Sequence, residues 1–189
     1  MNIVVKTACG HVICRPDTSW ERKSEDLYLP DFVGSLSFTP VTYARISKPG
    51  RSIGEAFTSR YYSDIGCGIL LYPDNFLDGS EEGFAAASCM DYSSLLPEKM
   101  LDKNGPSVRE LNFSMKKGSL DICSLHISPV PVLNTAIQEA SRIIYLRAGD
   151  FIAVELQNRM PLYSRNEGNV NIRGGYPDMG LLDFDIIVE

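Results

Sequence analysis

Residues 29–71 read LPDFVGSLSFTPVTYARISKPGRSIGEAFTSRYYSDIGCGILL. Three short runs in this stretch, Ser35–Phe38, Val41–Ile46 and Gly66–Leu71, are rich in apolar, β-branched or aromatic residues. Turn-forming residues bound each of them, which is the pattern of strands ended by turns. Between the second and third, Ile53–Tyr62 places Ile53, Ala56, Phe57 and Tyr61 at helical spacing and predicts a short helix. Outward from there the same punctuation recurs. Further strands are expected at Asn2–Val5, His11–Cys14, Leu111–Met115, Asp150–Leu156, Val170–Ile172 and Leu182–Val188. Gly174-Gly175 and Pro177-Asp178 read as turns between the last two strands. A second helix is expected over Asn134–Tyr145, capped by Asn134, with Ile137, Ala140 and Ile144 on its buried face. Many strands and few helices make a β-rich α+β domain.

The chain has 189 residues, 44% of them hydrophobic and 22% charged, the balance of one ordinary globular domain spanning residues 1–189. Eighteen Lys and Arg stand against 24 Asp and Glu, a net charge of −6. That balance argues against a nucleic-acid binder, which must neutralise phosphates with clustered cations, and against docking on an anionic membrane. The longest apolar run, around Gly66 to Leu71, falls far short of the roughly 18 residues of a transmembrane helix. The apolar run at the amino terminus is Ile3 to Val5, too short for the core of a signal peptide, so a cytoplasmic protein is expected. The five cysteines (Cys9, Cys14, Cys67, Cys89, Cys123) are odd in number and scattered, and are expected to be reduced and mostly buried.

The order of motifs resembles the fumarylacetoacetate hydrolase family, particularly its bacterial 2-oxo-acid isomerase and hydratase branch. The resemblance is carried by Leu29-Pro30-Asp31-Phe32, the strands to Arg45-Ile46, Gly50-Arg51-Ser52-Ile53, Ser59-Arg60-Tyr61-Tyr62 and Gly68-Ile69. Upstream, Arg15-Pro16-Asp17-Thr18-Ser19 looks like the family's lysine-proline-aspartate-serine stretch. Downstream, Asn134 to Asp150 and Leu181-Leu182-Asp183-Phe184 look like its last helix, turn and core strands. The resemblance covers nearly the whole chain and implies a single domain of mixed, rolled sheets with short helices packed outside, shortened at the amino terminus. It also implies association into a homodimer, or with an active paralogue.

In the family, two glutamates two residues apart share one strand face, and with an aspartate on a neighbouring strand they hold one divalent ion, Mg²⁺ or Mn²⁺. A hard cation requires several anionic oxygens. By the resemblance the glutamate positions fall on Thr39 and Val41 and the aspartate position on Leu70. The family's Arg-Asp-x-Gln stretch becomes Asp74, Asn75 and Leu77, its lysine falls on Ser88, and its Gly-Thr-Pro loop becomes Glu155-Leu156-Gln157. The segment carrying a Tyr and a His over the family's site is mostly deleted between Ile3 and His11. Only Arg15, Asp91 and Ser93 stand where the family has comparable polar residues. The expectation is therefore a relative with no metal cofactor, inactive, serving as a binding or interaction subunit. The alternative is a metal-free enzyme of hydrolase or isomerase type on a small 2-oxo or dicarboxylic acid. There Arg15 would grip a carboxylate and Asp91 or His126 would serve as acid or base.

Three other groupings have a chemical reading. Cys9-x-His11-x-x-Cys14 places three soft donors within six residues, but zinc needs a fourth, and two buried cysteines beside a surface histidine is the expectation. Cys89 or Ser88 with His126 could form a nucleophile and base only if folding joins them. Arg45, Lys48, Arg51 and Arg60 read as a solvated basic turn.

Overall fold

A computed structural model describes residues 1–188. The chain opens with a hairpin of β1 (Ile3–Lys6) and β2 (Val12–Arg15), followed by two-residue strands β3 (Trp20–Glu21) and β4 (Leu27–Tyr28). Next come β5 (Ser35–Ile46) and β6 (Tyr62–Pro73), 12 residues each and paired antiparallel over nearly their whole length. Pro40 was expected to divide β5, yet the strand runs through it. Below Pro40, β5 pairs with residues 160–164, and above it with residues 151–155. Proline sits at the change of partner, where its missing N–H leaves no ladder bond unmade.

The helix expected over Ile53–Tyr62 is instead a 3₁₀ turn, Glu55–Arg60, with Phe57 N donating to Gly54 O. Its expected apolar face is split, for Ile53 is buried and Tyr61 half-buried, while Ala56 and Phe57 are exposed, Phe57 by 50%. After β6 comes α1 (Glu81–Ala87), which the sequence reading missed. It has Ser80 as N-cap, accepting from Gly83 N, and Glu81 and Glu82 in the first turn, favourable toward the helix dipole. Short strands β7 (Ser94–Leu95) and β8 (Leu101–Asp102) lead into a hairpin of β9 (Leu111–Lys117) and β10 (Leu120–Ile127). Then α2 (Pro129–Ile143) begins five residues before the expected start at Asn134. Pro129 and Pro131 look like helix breakers, but in the first turn their missing N–H groups are not needed. The chain closes with β11 (Phe151–Glu155), β12 (Met160–Ser164), β13 (Val170–Tyr176) and β14 (Met179–Ile187). Of the two turns expected there, only Pro177-Asp178 joins strands; Gly174-Gly175 lies inside β13 at a bulge.

The larger sheet has the order β2-β1-β11-β5-β6-β7-β3, with β12 also on β5 and β8 on β6. The smaller is β10-β9-β13-β14-β4. Both are mixed: β1–β11, β3–β7 and β4–β14 are parallel pairs. Because strand side chains alternate, the long hairpin of β5 and β6 has two differently covered faces. On one face Leu36, Phe38, Ile69 and Leu71 pack against Phe113, Met115, Ile172 and Phe184 of the smaller sheet. Further along that face Ala44, Ile46 and Ile65 meet Leu133, Ile137 and Ala140 of α2. The opposite face carries Val41, Tyr43, Leu70 and Tyr72 beside Ile3, Val5, Phe151 and Ala153. Among the described residues no helix is long and apolar enough to cross a membrane.

Candidate functional site

The positions that the family resemblance marks for metal lie on this second face. Thr39 stands directly opposite Leu70 in the β5–β6 register, and Val41 opposite Gly68. The three side chains therefore point the same way, at neighbouring places on two adjacent strands. All three are fully buried. Val41 and Leu70 belong to an apolar cluster with Ala87 of α1 and Leu96, and Trp20, Phe76 and Phe84 pack on its margin. The Leu95 carbonyl lies so near that a Cβ on Gly68 would meet it at 2.2 Å, which explains glycine there. The Thr39 hydroxyl donates to Gln157 O at 2.8 Å, so the loop after β11 closes over it.

This set does not suit a divalent cation. Two of the three side chains are hydrocarbon and the third is a neutral hydroxyl already bonded, whereas a hard ion asks for six or so oxygens. The nearby Asp74 accepts from Ser35 at 2.7 Å and Ser37 at 2.5 Å, and stands just beyond Pro73 at the end of β6. Among the described residues no three His, Cys, Asp or Glu side chains gather as a metal-binding group.

A buried arginine occupies the adjacent interior. Arg15 is 1% exposed, and all five of its N–H donors are used. Nε donates to Ser88 O at 2.9 Å. Nη1 donates to Ser93 O and Ser94 Oγ, and Nη2 to Leu71 O and Ser93 Oγ. Its guanidinium carbon lies 4.8 Å from the centre of the Tyr72 ring. Burial lowers its pKa, while Tyr72 and Glu155 act in the opposite direction. The Tyr72 hydroxyl donates to Glu155 Oε1 at 2.5 Å, and Ala8 N donates to Glu155 Oε2 at 2.9 Å. Burial pushes the Tyr72 phenol far above its usual range. On the outer side the Arg159 guanidinium rests over the rings of Tyr72 (5.3 Å) and Phe84 (4.9 Å). Tyr72 and Phe84 stack at 5.7 Å. Where the resemblance would place carboxylates and an ion, there is a filled interior of aliphatic and aromatic groups flanked by two guanidiniums.

The other singled-out residues are dispersed. Ser88 is buried, its hydroxyl bonded to Phe84 O and its carbonyl to Arg15. Ser93 is a partner of Arg15. Asp91 is exposed at the wall of a separate cavity. His126 lies on β10 in the other sheet, its Nδ1 2.8 Å from Asn112 Oδ1 and its Nε2 3.3 Å from Glu110. Folding thus joins Arg15 with Ser88 and Ser93, and leaves His126 apart. The cysteine expectation needs correction: Cys67 and Cys123 are buried, but Cys9, Cys14 and Cys89 are exposed. Cys9 sits in the turn of the first hairpin, and Cys14 is on the edge strand β2, which has one neighbour and an open side. The basic residues Arg45, Lys48, Arg51 and Arg60 are all exposed. Sequence reasoning missed the Tyr72–Glu155 pair and Arg159, which only the pairing of β5 with β6 and β11 brings together.

The fold is that of the fumarylacetoacetate hydrolase family. It superimposes on a Yersinia pestis protein assigned to that family with a TM-score of 0.81 at 15% identity, over 98% of this chain and 92% of that one. A fumarylpyruvate hydrolase from Pseudomonas aeruginosa, solved in complex with Mn²⁺ and pyruvate, matches with a TM-score of 0.82 at 13% identity, over 100% and 90% of the two chains. A 2-hydroxyhepta-2,4-diene-1,7-dioate isomerase from Mycobacterium marinum gives 0.82 at 13%, over 100% and 75%. No family model and no curated protein matches the sequence.

Proposed function

We propose that this chain is a fumarylacetoacetate hydrolase-like protein that has given up the divalent-metal site and serves as a binding or interaction subunit, not as a hydrolase or isomerase. The observation that carries the reading is the burial of Thr39, Val41 and Leu70 together, with hydrocarbon at two of the three positions. Burying Val41 and Leu70 against each other stabilises the domain by about 1.5–3 kcal/mol apiece, whereas three facing carboxylates without a cation would repel one another. The engagement of every Arg15 donor by protein acceptors supports the same reading, since a guanidinium that gripped a substrate carboxylate would need donors to spare. The partner in this reading is a second copy of the chain or an active relative of the same fold.

Titration calorimetry with Mn²⁺ and Mg²⁺, each with and without pyruvate, tests it. The expected result is no stoichiometric binding of metal and no pyruvate binding that depends on metal. Stoichiometric binding at micromolar affinity would sink the reading. Light scattering across a concentration series, alone and with an active relative, reads the partner.

A further inference from the structure

A cavity of about 980 Å³ lies between the residues 21–32 and the residues 86–95, with Phe76 at its wall. Its lining has a one-sided charge. Glu21, Glu25, Asp26 and Asp91 contribute to it, and no Lys, Arg or His does. Among the described residues none of these four carboxylates forms an ion pair. Glu21 is the informative one. It is 8% exposed, and its Oε1 accepts the backbone N–H groups of Lys23 and Glu25, at 2.6 and 3.4 Å. Its Oε2 has no protein donor among the described residues and is reached by solvent at the cavity wall, where a ligand could replace the water.

The second observation is aromatic. Tyr28, Phe32 and Tyr92 are 65%, 58% and 59% exposed, and all three line this cavity. Phe32 is propped by Phe76 at 5.8 Å between ring centres. Large rings left in water at one place, beside carboxylates without counter-ions, call for a ligand that satisfies both. A hard metal ion does not, because it would need several converging oxygens and gains little from ring faces. An organic cation does. Its weakly hydrated charge is attracted to the ring quadrupole and to carboxylates alike, and its apolar body fills the remaining space. The volume lies within the range of small-molecule sites, and the lining has their composition, mainly apolar with a few convergent polar groups.

We propose that this cavity binds a small organic cation, an alkylammonium or guanidinium carried on an apolar body. Glu21 and Asp91 meet the charge, and Tyr28, Phe32 and Tyr92 meet the body. The proposal stands apart from the fate of the metal site, since none of Thr39, Val41 and Leu70 lines the cavity and only Phe76 borders both. It also requires a ligand of opposite charge to pyruvate.

The test compares three probes with one apolar body: 4-phenylbutylamine, 4-phenylbutanol and 4-phenylbutyrate. Binding is read by calorimetry and by slowed alkylation of Cys89, which lines the cavity, with the exposed Cys9 as internal control. The amine is expected to bind saturably, at least about tenfold more tightly than the alcohol or the acid, and to protect Cys89 but not Cys9. Asp91→Asn should weaken the amine by about tenfold. Tyr92→Asn should do likewise, since asparagine tolerates the left-handed backbone there and the variant keeps its fold. Equal binding of amine and alcohol would overturn the proposal, as would no saturable amine binding up to about 10 mM, above any range useful for recognition. Dissociation of a dimer by Tyr92→Asn would equally overturn it, by assigning the surface to a second copy of the chain.

Discussion

The face of the β5–β6 hairpin turned toward Ile3, Val5 and Phe151 can be compared with the cavity at the edge of the same sheet. On the first, Thr39, Val41 and Leu70 are sealed, their polar atoms answered by the protein itself. At the second, four carboxylates without ion pairs, the nearly buried Glu21 among them, and three exposed rings line a cavity. The place where the family resemblance would put a metal is thus closed by packing here, and the open place is elsewhere. Stability is expected to be concentrated in the first region and recognition in the second, because groups retained against stability are those with another task. The largest effect should come from forcing charge into the sealed region. The triple variant Thr39→Glu, Val41→Glu, Leu70→Asp should lose at least about 5 kcal/mol, enough to unfold a typical domain, since each buried unpaired carboxylate is costly. Urea unfolding with and without Mn²⁺ checks this. A triple variant as stable as the parent without metal would mean that the face is wet and open, and the comparison would fail.

The next effect in size concerns Arg15. Replacing it by Met removes five hydrogen bonds and leaves the carbonyls of Leu71, Ser88 and Ser93 without that donor in a buried place. At about 1–3 kcal/mol for each unsatisfied acceptor, less the desolvation cost that the guanidinium no longer imposes, a loss of about 3–5 kcal/mol is expected. Arg15→Lys should recover only part of it, because an ammonium has three donors and no planar fork. A chemical denaturation midpoint unchanged in Arg15→Met would show that the guanidinium is not a structural element, and would return it to the pool of ligand-binding groups.

Alkaline pH probes the packed interior at a smaller scale. Burial pushes the Cys67 thiol up from 9.0 to about 11 and the Tyr62 phenol up to about 12. Both are acids that hold their proton more tightly when folded. Their stabilisation is therefore complete below the unfolded pKa and is lost as pH rises through the folded one, where the unfolded chain ionises first. For Cys67 the loss runs from about pH 9 to about pH 11 and amounts to about 2–3 kcal/mol. Unfolding free energy measured across that range should fall, and Cys67→Ala should flatten the fall. A parent whose stability stays level to pH 11 would show that the thiol is solvated and the hairpin less sealed than its burial implies.

Much of the packed region was legible in the sequence, and almost none of the open one. Strand alternation and Pro/Gly punctuation located β5, β6 and β11, and the order of motifs was enough to place Thr39 and Leu70 on adjacent strands. What local patterns missed was set by tertiary partners. Pro40 looked like a strand end because the sequence does not say that β5 changes neighbours there. The first turn of α2, with Pro129 and Pro131, lay outside the expected helix because prolines mark a helix start only when the turn they open is in view. Arg15 looked like a ligand-binding group because its five acceptors come from residues 71–94, far along the chain. The cavity left a faint signal, acids close to an aromatic in Glu25-Asp26-Leu27-Tyr28 and again in Asp91-Tyr92. Such runs usually mark solvated turns, and only the fold brings the two together.

The smallest expected effect is the sharpest test of the contrast. Tyr92 has φ of 55°, a left-handed conformation that costs a bulky residue about 1–2 kcal/mol, and its ring is 59% exposed. Glycine adopts that conformation freely but adds about 0.5–1 kcal/mol of chain entropy to the unfolded state. The two terms nearly cancel, with a remainder in favour of glycine. Tyr92→Gly should therefore leave stability unchanged or raise it by up to about 1 kcal/mol, with the backbone bond from Tyr92 N to Thr18 O kept. On the sealed face the corresponding loss of a side chain, Leu70→Ala, should cost about 2–5 kcal/mol. Both are read from urea unfolding of the two variants beside the parent. A Tyr92→Gly protein destabilised as much as Leu70→Ala would make the ring part of the packed structure, and the division between a region kept for stability and one kept for recognition would not hold. If instead the variant is at least as stable as the parent and its affinity for the amine probe falls, the strained, exposed tyrosine is retained for what it binds.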